Sequence, residues 1–126
     1  MPKFINDLGM DAELDFISAN GQRMMAISAY TFGDTYATVV AASLADVALA
    51  PADFTKADGT TSGRKTTVGA KSAVPVDATG TATHVAIVDD TNTRVIAVTT
   101  CTSQALTSGN TVNFPAWTVT EIGDPA

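Results

Sequence analysis

His84 and Cys101 are the only imidazole and the only thiol in the chain, so any nucleophilic or metal chemistry must be built around single copies of each. A Ser-His-Asp or Cys-His arrangement needs nucleophile, base and orienting group in mutual hydrogen-bond reach, and a zinc site needs three or four His, Cys or carboxylate ligands. Beyond His84 and Cys101, only Asp and Glu remain to complete either set. Alternation puts His84 inside a strand on the face of Ala82 and Ala86, a structural position. Cys101 reads as a small apolar strand residue, and one cysteine permits no intrachain disulfide.

Three further constellations fail on residue type or spacing. Gly59-Thr-Thr-Ser-Gly63-Arg-Lys65-Thr66 has the look of a phosphate-binding loop, in which backbone N–H groups cradle phosphates ahead of a helix. Arg64 stands where that motif needs its second glycine, no apolar strand precedes it and no helical period follows, so a flexible loop entering a strand is the better reading. Asp89, Asp90 and Asn92 could offer oxygens to Ca²⁺, but the alternating acids, central Gly and terminal Glu of a calcium loop are absent. A polar hairpin loop accounts for them. Asp11 and Asp15 share one face of a helix, yet nothing sets a cleft beside them, and an exposed acidic face is the default. No catalytic, cofactor-binding or metal-ligating residue is assigned, and the chain reads as a protein without enzymatic activity.

The elements behind these residues follow from periodicity. Met10, Leu14 and Ile17 recur at i, i+4 and i+7, with Ala12, Phe16 and Ala19 on an adjoining stripe, which predicts an amphipathic helix over 7–20. Asn6, Asp7 or Asp11 can cap its start, and Asn20-Gly21 is its stop signal. The period then changes to two. From Arg23 to Tyr30, Met25, Ile27 and Ala29 alternate with Met24, Ala26, Ser28 and Tyr30, a strand partly buried on both faces. Residues 31–63 combine an Ala-rich run with the loop signals Pro51, Asp58-Gly59 and Ser62-Gly63, and propensity does not decide between helix and strand there.

From Arg64, Val68, Ala70, Ser72, Val74 and Val76 fall on one face of a strand, with an edge or bulge at Pro75. Thr81–Val88 and Arg94–Thr100 form a hairpin through the connector 89–93. Thr111–Ile122 is the last extended segment, with Val112, Phe114 and Ala116 on one face, Trp117 and Val119 on the other, and an edge or bend at Pro115. The expected fold is mainly β with one N-terminal α-helix, an α+β arrangement built as a small antiparallel β-sandwich or barrel. It forms one domain over 1–126: an arm at 1–6, the helix at 7–20, a β-rich body at 23–122 with an irregular stretch at 31–63, and a frayed tail at 123–126.

Composition narrows the function classes. Thirteen acids against seven bases leave a net charge of −6, which opposes binding to nucleic-acid phosphates or to an anionic membrane. The start lacks the apolar run of a secretory signal, and no stretch approaches the ~20 apolar residues that cross a bilayer. Thr and Ala together make up about a third of the chain, and charged residues only 16%. Such a charge-poor surface is readily covered by a partner, because few ions need desolvating. Trp117, Tyr30, Tyr36 and the Met24-Met25 pair are candidate interface anchors, with core packing an equal alternative for each.

Residues 79–125 carry a recognisable pattern: Thr-Gly-Thr-Ala-Thr-His-Val-Ala-Ile-Val-Asp-Asp, then Arg-Val-Ile-Ala-Val-Thr-Thr-Cys, Gln-Ala-Leu-Thr-Ser-Gly-Asn-Thr-Val and Trp-Thr-Val-Thr-Glu-Ile-Gly-Asp-Pro. This pattern, with the helix ending in Asn20-Gly21, resembles small virion proteins of tailed bacteriophages and prophages of Gram-negative, largely alphaproteobacterial hosts. The resemblance implies a structural component of the particle and brings no cofactor or catalytic residues. It suggests a capsid decoration, or cement, protein on the outside of the head, partnered by the major capsid protein and by neighbouring copies of itself. The alternative is a tail, neck or head-fibre component. A small cytoplasmic binding module is a further class. Residues 1–6 and 51–63 are expected to contact neighbouring subunits, having little local means of folding.

Overall fold

The computed structural model describes residues 6–123; most of the expected arm and tail, 1–5 and 124–126, lies outside the described residues. Asn6 is the cap of the first helix, and its side-chain oxygen accepts the Leu8 N–H at 2.8 Å, satisfying one first-turn amide that has no carbonyl partner. The helix, α1 (Asp7–Asn20), buries Met10 and Leu14 and half-buries Ile17, the stripe its period predicts. Burying a Met or Leu side chain contributes ~1.5–3 kcal/mol, and ion pairs that keep contact with solvent add less. Docking of α1 therefore rests on those apolar residues more than on Asp15–Lys56 at 2.6 Å or Asp11–Arg64 at 2.9 Å. The helix does stop at Gly21, but for room rather than for backbone freedom. Its φ of −74° suits any residue, whereas a Cβ there would stand 2.8 Å from Phe54 Cζ and 2.9 Å from the Ile17 carbonyl oxygen.

The strand after Gly21, β1 (Arg23–Ile27), is an interior strand of a four-stranded antiparallel sheet ordered β2-β1-β6-β7. Its companions are β2 (Ser43–Ala48), β6 (Gly80–Asp89) and β7 (Arg94–Leu106). Both faces of β1 are buried, as alternation predicts: Met24 and Ala26 enter one apolar cluster, Met25 and Ile27 a second. The first cluster fills the space between this sheet and two smaller antiparallel ones. One is ordered β3-β4-β9, from β3 (Phe54–Asp58), β4 (Arg64–Val68) and β9 (Trp117–Ile122), and the other pairs β5 (Lys71–Pro75) with β8 (Thr111–Phe114). Phe54, Val68, Val74 and Phe114 contribute from that side, with Trp117 and Val119 half-buried against them. The second cluster is closed by a short helix, α2 (Tyr36–Ala41), through Val39, Tyr36 and Val40. The chain is thus mainly β with one long N-terminal helix, an α+β fold whose antiparallel sheets pack as a small sandwich.

Several boundaries differ from the sequence reading. The stretch 31–63 is not irregular. Thr35 caps α2 by accepting the Thr38 N–H, the Ala/Val run divides at Ala42, and its second half becomes β2 because β1 offers it a pairing edge. Residues 51–63 fold into a 3-10 turn at Pro51–Asp53, β3 and a tight turn into β4, so this segment has its own means of folding. The strand expected from Arg64 through Val76 breaks at Gly69, where its N–H turns to the Asp53 carbonyl at 2.8 Å. Val68 and Val74 still reach one cluster, because Ala73 at φ 55° lies in a register shift between Lys71 and Val74 that resets the alternation, while Ala70 and Ser72 are exposed. The final segment bends at Pro115, dividing β8 from β9, so that Phe114 and Trp117 pack on one cluster instead of facing apart.

Candidate functional site

The chemistry-bearing residues of the sequence are not brought together. His84 pairs in register with Thr100, one residue from Cys101, yet the two side chains serve different faces. Cys101 lines a cavity of about 250 Å³ with Ala82, Val85, Leu106 and Val112, and burial pushes its thiol pKa up, away from nucleophilic use. His84 sits at Tyr30, ring centroids 5.9 Å apart, with Nδ1 2.8 Å from Thr83 Oγ1. The expectation that His84, Ala82 and Ala86 share a face fails in part. A register shift between Ala82 and His84 sends Ala82 to the first cluster and Ala86 to the second.

The hairpin loop 89–93 is organised by Asp89, whose carboxylate is buried. It accepts the Thr91 N–H at 3.1 Å, the Asn92 N–H at 3.2 Å, Asn92 Nδ2 at 2.9 Å and Arg94 Nε at 3.0 Å. The Asn92 side-chain bond, with the backbone and Arg94 bonds behind it, holds the Asp89 pKa below the ordinary carboxylate range against the opposing effect of burial. Asp90 turns to the other side, accepting from Tyr36 Oη at 2.7 Å and Arg23 at 2.9 Å, while Arg23 also donates to Asp46 at 2.7 Å. The Asp89 and Asp90 carboxylates are therefore committed to donors on two separate sides of the loop. They hold β1, β2, α2 and the hairpin together. Among the described residues no three His, Cys, Asp or Glu side chains are grouped as metal ligands would be.

The Gly59–Thr66 segment is a turn over 59–63, closed by Gly59 N–H to the Gly63 carbonyl at 2.8 Å, followed by the first residues of β4. Glu121 accepts the Thr60 N–H at 2.6 Å, placing a carboxylate where a phosphate site would need the reverse charge. Asp11 and Asp15 are each taken up by a base, Arg64 and Lys56. Of the sequence-proposed anchors, Met24 and Met25 are wholly buried, Trp117 donates Nε1–H to Met24 Sδ at 3.5 Å, and Tyr30 and Tyr36 cover the second cluster. They build the core and its cover.

The structure instead exposes other apolar groups. Phe32 is 98% exposed, Leu8 77% and Phe16 46%. Phe32 is held at the tip of the Thr31–Asp34 turn, closed by Asp34 N–H to the Thr31 carbonyl at 2.9 Å and by Thr31 N–H to Asp34 Oδ2 at 2.8 Å. Gly33 at φ 94° supplies the left-handed third position such a turn requires. The cue is in the sequence, an aromatic ahead of Gly-Asp, but it lies in a stretch where helix and strand propensities compete. Leu8, Ala12 and Phe16 recur four apart on the exposed side of α1, and the Arg94 guanidinium sits 4.9 Å from the Phe16 ring centroid. Beside them opens a groove of about 660 Å³, walled by Ala12, Glu13, Phe16 and Ile17 of α1 and by Thr120 and Ile122 of β9.

Among the described residues, no helix is long and apolar enough to cross a membrane. Comparison with known protein families, with curated proteins and with solved structures finds no match.

Proposed function

We propose that this chain is a structural protein of a bacteriophage particle, a decoration protein that binds the outer surface of the head shell and stabilises it without catalysis. The observation that carries the assembly part of this reading is Phe32, a large aromatic held almost fully in solvent on a doubly hydrogen-bonded turn. Exposing an aromatic costs hydration free energy. Fixing it on a rigid turn lowers the entropy lost when a partner covers it, which is how interface anchors behave. The low charge density and free sheet edges support the same reading, and the strand-and-turn pattern over 79–125 supports the particle.

Quantitative mass spectrometry of separated heads and tails from a producing phage or prophage tests it. A decoration protein stays with tailless heads at a copy number comparable to that of the shell protein. Recovery in the tail fraction at low copy number would favour a neck or tail part, and absence from purified particles would refute the structural role.

A further inference from the structure

We infer that the outer edge of β9, together with the groove between β9 and α1, is a docking site for an extended segment of a partner protein in which apolar and basic side chains alternate. No described strand pairs with the outer edge of β9, since the sheet order β3-β4-β9 leaves it free. Free edges are sites of strand addition, where main-chain hydrogen bonds hold the incoming segment and alternate side chains drop to one face. Beside β9 that face meets the apolar wall of Ala12, Phe16 and Ile17 with Ile122, so every second side chain of an added strand has a place to be buried.

The outer edges of β3 and β7 lack this combination. β3 carries Lys56 and Asp58 in an otherwise exposed run, and the pairing of β7 with β6 is broken by two register shifts. β9 has one charge, Glu121.

Charge sets the chemistry of the occupant. α1 bears Asp7, Asp11, Glu13 and Asp15 and no base. Arg64 and Lys56 neutralise Asp11 and Asp15, while Glu13, on the groove wall, has no ion-pair partner among the described residues. Glu121 adds a second carboxylate on the face of β9 opposite to Thr120 and Ile122, across from its register partner Lys65 and bonded to Thr60. A second copy laid on this face would set acid against acid. A basic and apolar strand would meet complementary charge at Glu13 on the α1 wall. On the reading of the preceding subsection that strand belongs to the shell protein; the site itself does not depend on that identity.

The test uses two synthetic peptides, one alternating Val with Lys and one alternating Val with Glu, titrated into the full chain and into Ala12→Arg and Glu13→Lys. Ala12 and Glu13 are exposed helix positions that tolerate either residue, and unchanged melting of each variant checks the fold. The Val/Lys peptide should bind at least about tenfold more tightly than the Val/Glu peptide, and each variant should weaken it by about tenfold or more. Slowed hydrogen exchange should appear at β9 amides. Equal binding of both peptides, unaltered binding by Ala12→Arg, or protection confined to α1 would overturn the proposal, as would dimerisation of the free chain through this face. Binding of the same variants to purified heads separates the two readings. If Ala12→Arg loses the peptide but decorates heads like the parent, the site stands and its assignment to the shell fails.

Discussion

Replacing Thr66 with valine removes a hydroxyl that is fully buried in β4 and has no hydrogen-bond partner among the described residues. Thr66 lies in the middle of its strand, opposite Lys56 on β3 and Thr120 on β9, on a strand against which α1 packs. In the unfolded chain that hydroxyl is hydrated, and on burial it forfeits water for nothing, a penalty of ~1–3 kcal/mol. Valine has the same shape and the same β-branched preference for strands, so the swap leaves packing and propensity nearly unchanged. Thr66→Val should therefore stabilise the fold by about 1–2 kcal/mol, and for a chain of this size each kcal/mol raises Tm by about 3–5 °C. Urea denaturation reads this as a higher midpoint at constant slope. Thr67→Val, at a partly exposed neighbour whose side chain leaves on the opposite face, serves as the control and should change stability by less than ~0.5 kcal/mol. A Thr66→Val protein less stable than its parent would refute the reasoning, because it would mean the hydroxyl is bonded in solution, through a buried water for instance.

Other consequences are open to measurement. Thr93 occupies φ 50° at the end of the hairpin loop, where a β-branched residue is strained by ~1–2 kcal/mol, so Thr93→Asn should raise the melting temperature, and a lowered one would count against strain at that turn. Gly21→Ala pushes a methyl group against Phe54 and the Ile17 carbonyl, and chemical denaturation should show a loss of about 1–3 kcal/mol. The pKa of Asp53 is depressed, chiefly by the Lys71 ammonium and then by the Ala50 N–H, as that of Asp89 is by Asn92. Because their folded values lie below their unfolded ones, both carboxylates contribute stability that is complete above the ordinary aspartate pKa of about 3.9 and lost as pH falls through the folded values. Urea midpoints measured down a pH series should drop in that acid window, and Asp89→Asn should flatten the drop. An unchanged acid limb in that variant would mean Asp89 is not one of the groups responsible.

The elements with a single strong period were legible in the sequence. Met10, Leu14 and Ile17 predict a helix and its buried face, Met24 to Ile27 a strand buried on both sides, and 89–93 the connector of a hairpin. What escaped was decided by partners distant in the chain. The run after Thr35 divides into helix and strand because Thr35 caps one half and β1 pairs with the other, and neither influence is local. Alternation also assumes an unbroken ladder. Where the register shifts, near Ala73 and between Ala82 and His84, it assigns side chains to the wrong face. At the candidate surface the same logic operated in reverse. Residue type left Trp117, Tyr30, Tyr36 and the Met24-Met25 pair open between interface anchor and core, and they pack in the core or over it, while the exposed Phe32 is recognisable only through the chemistry of the turn that presents it.

The place of β1 in its sheet has a consequence for how the molecule comes into being. On one side it pairs with β2, about twenty residues downstream, and on the other with β6, whose residues lie some sixty positions further along the chain. During synthesis the first pairing is available early, while the second waits for most of the polypeptide to emerge. Until then Met24 and Met25, which end in different apolar clusters, have neither cluster to enter. Non-local pairings of this kind slow folding and prolong exposure of strand edges. The chain is therefore most prone to association with other chains just before β6 and β7 close the sheet, and helpers or low temperature that keep copies apart during that interval should raise the yield of folded protein.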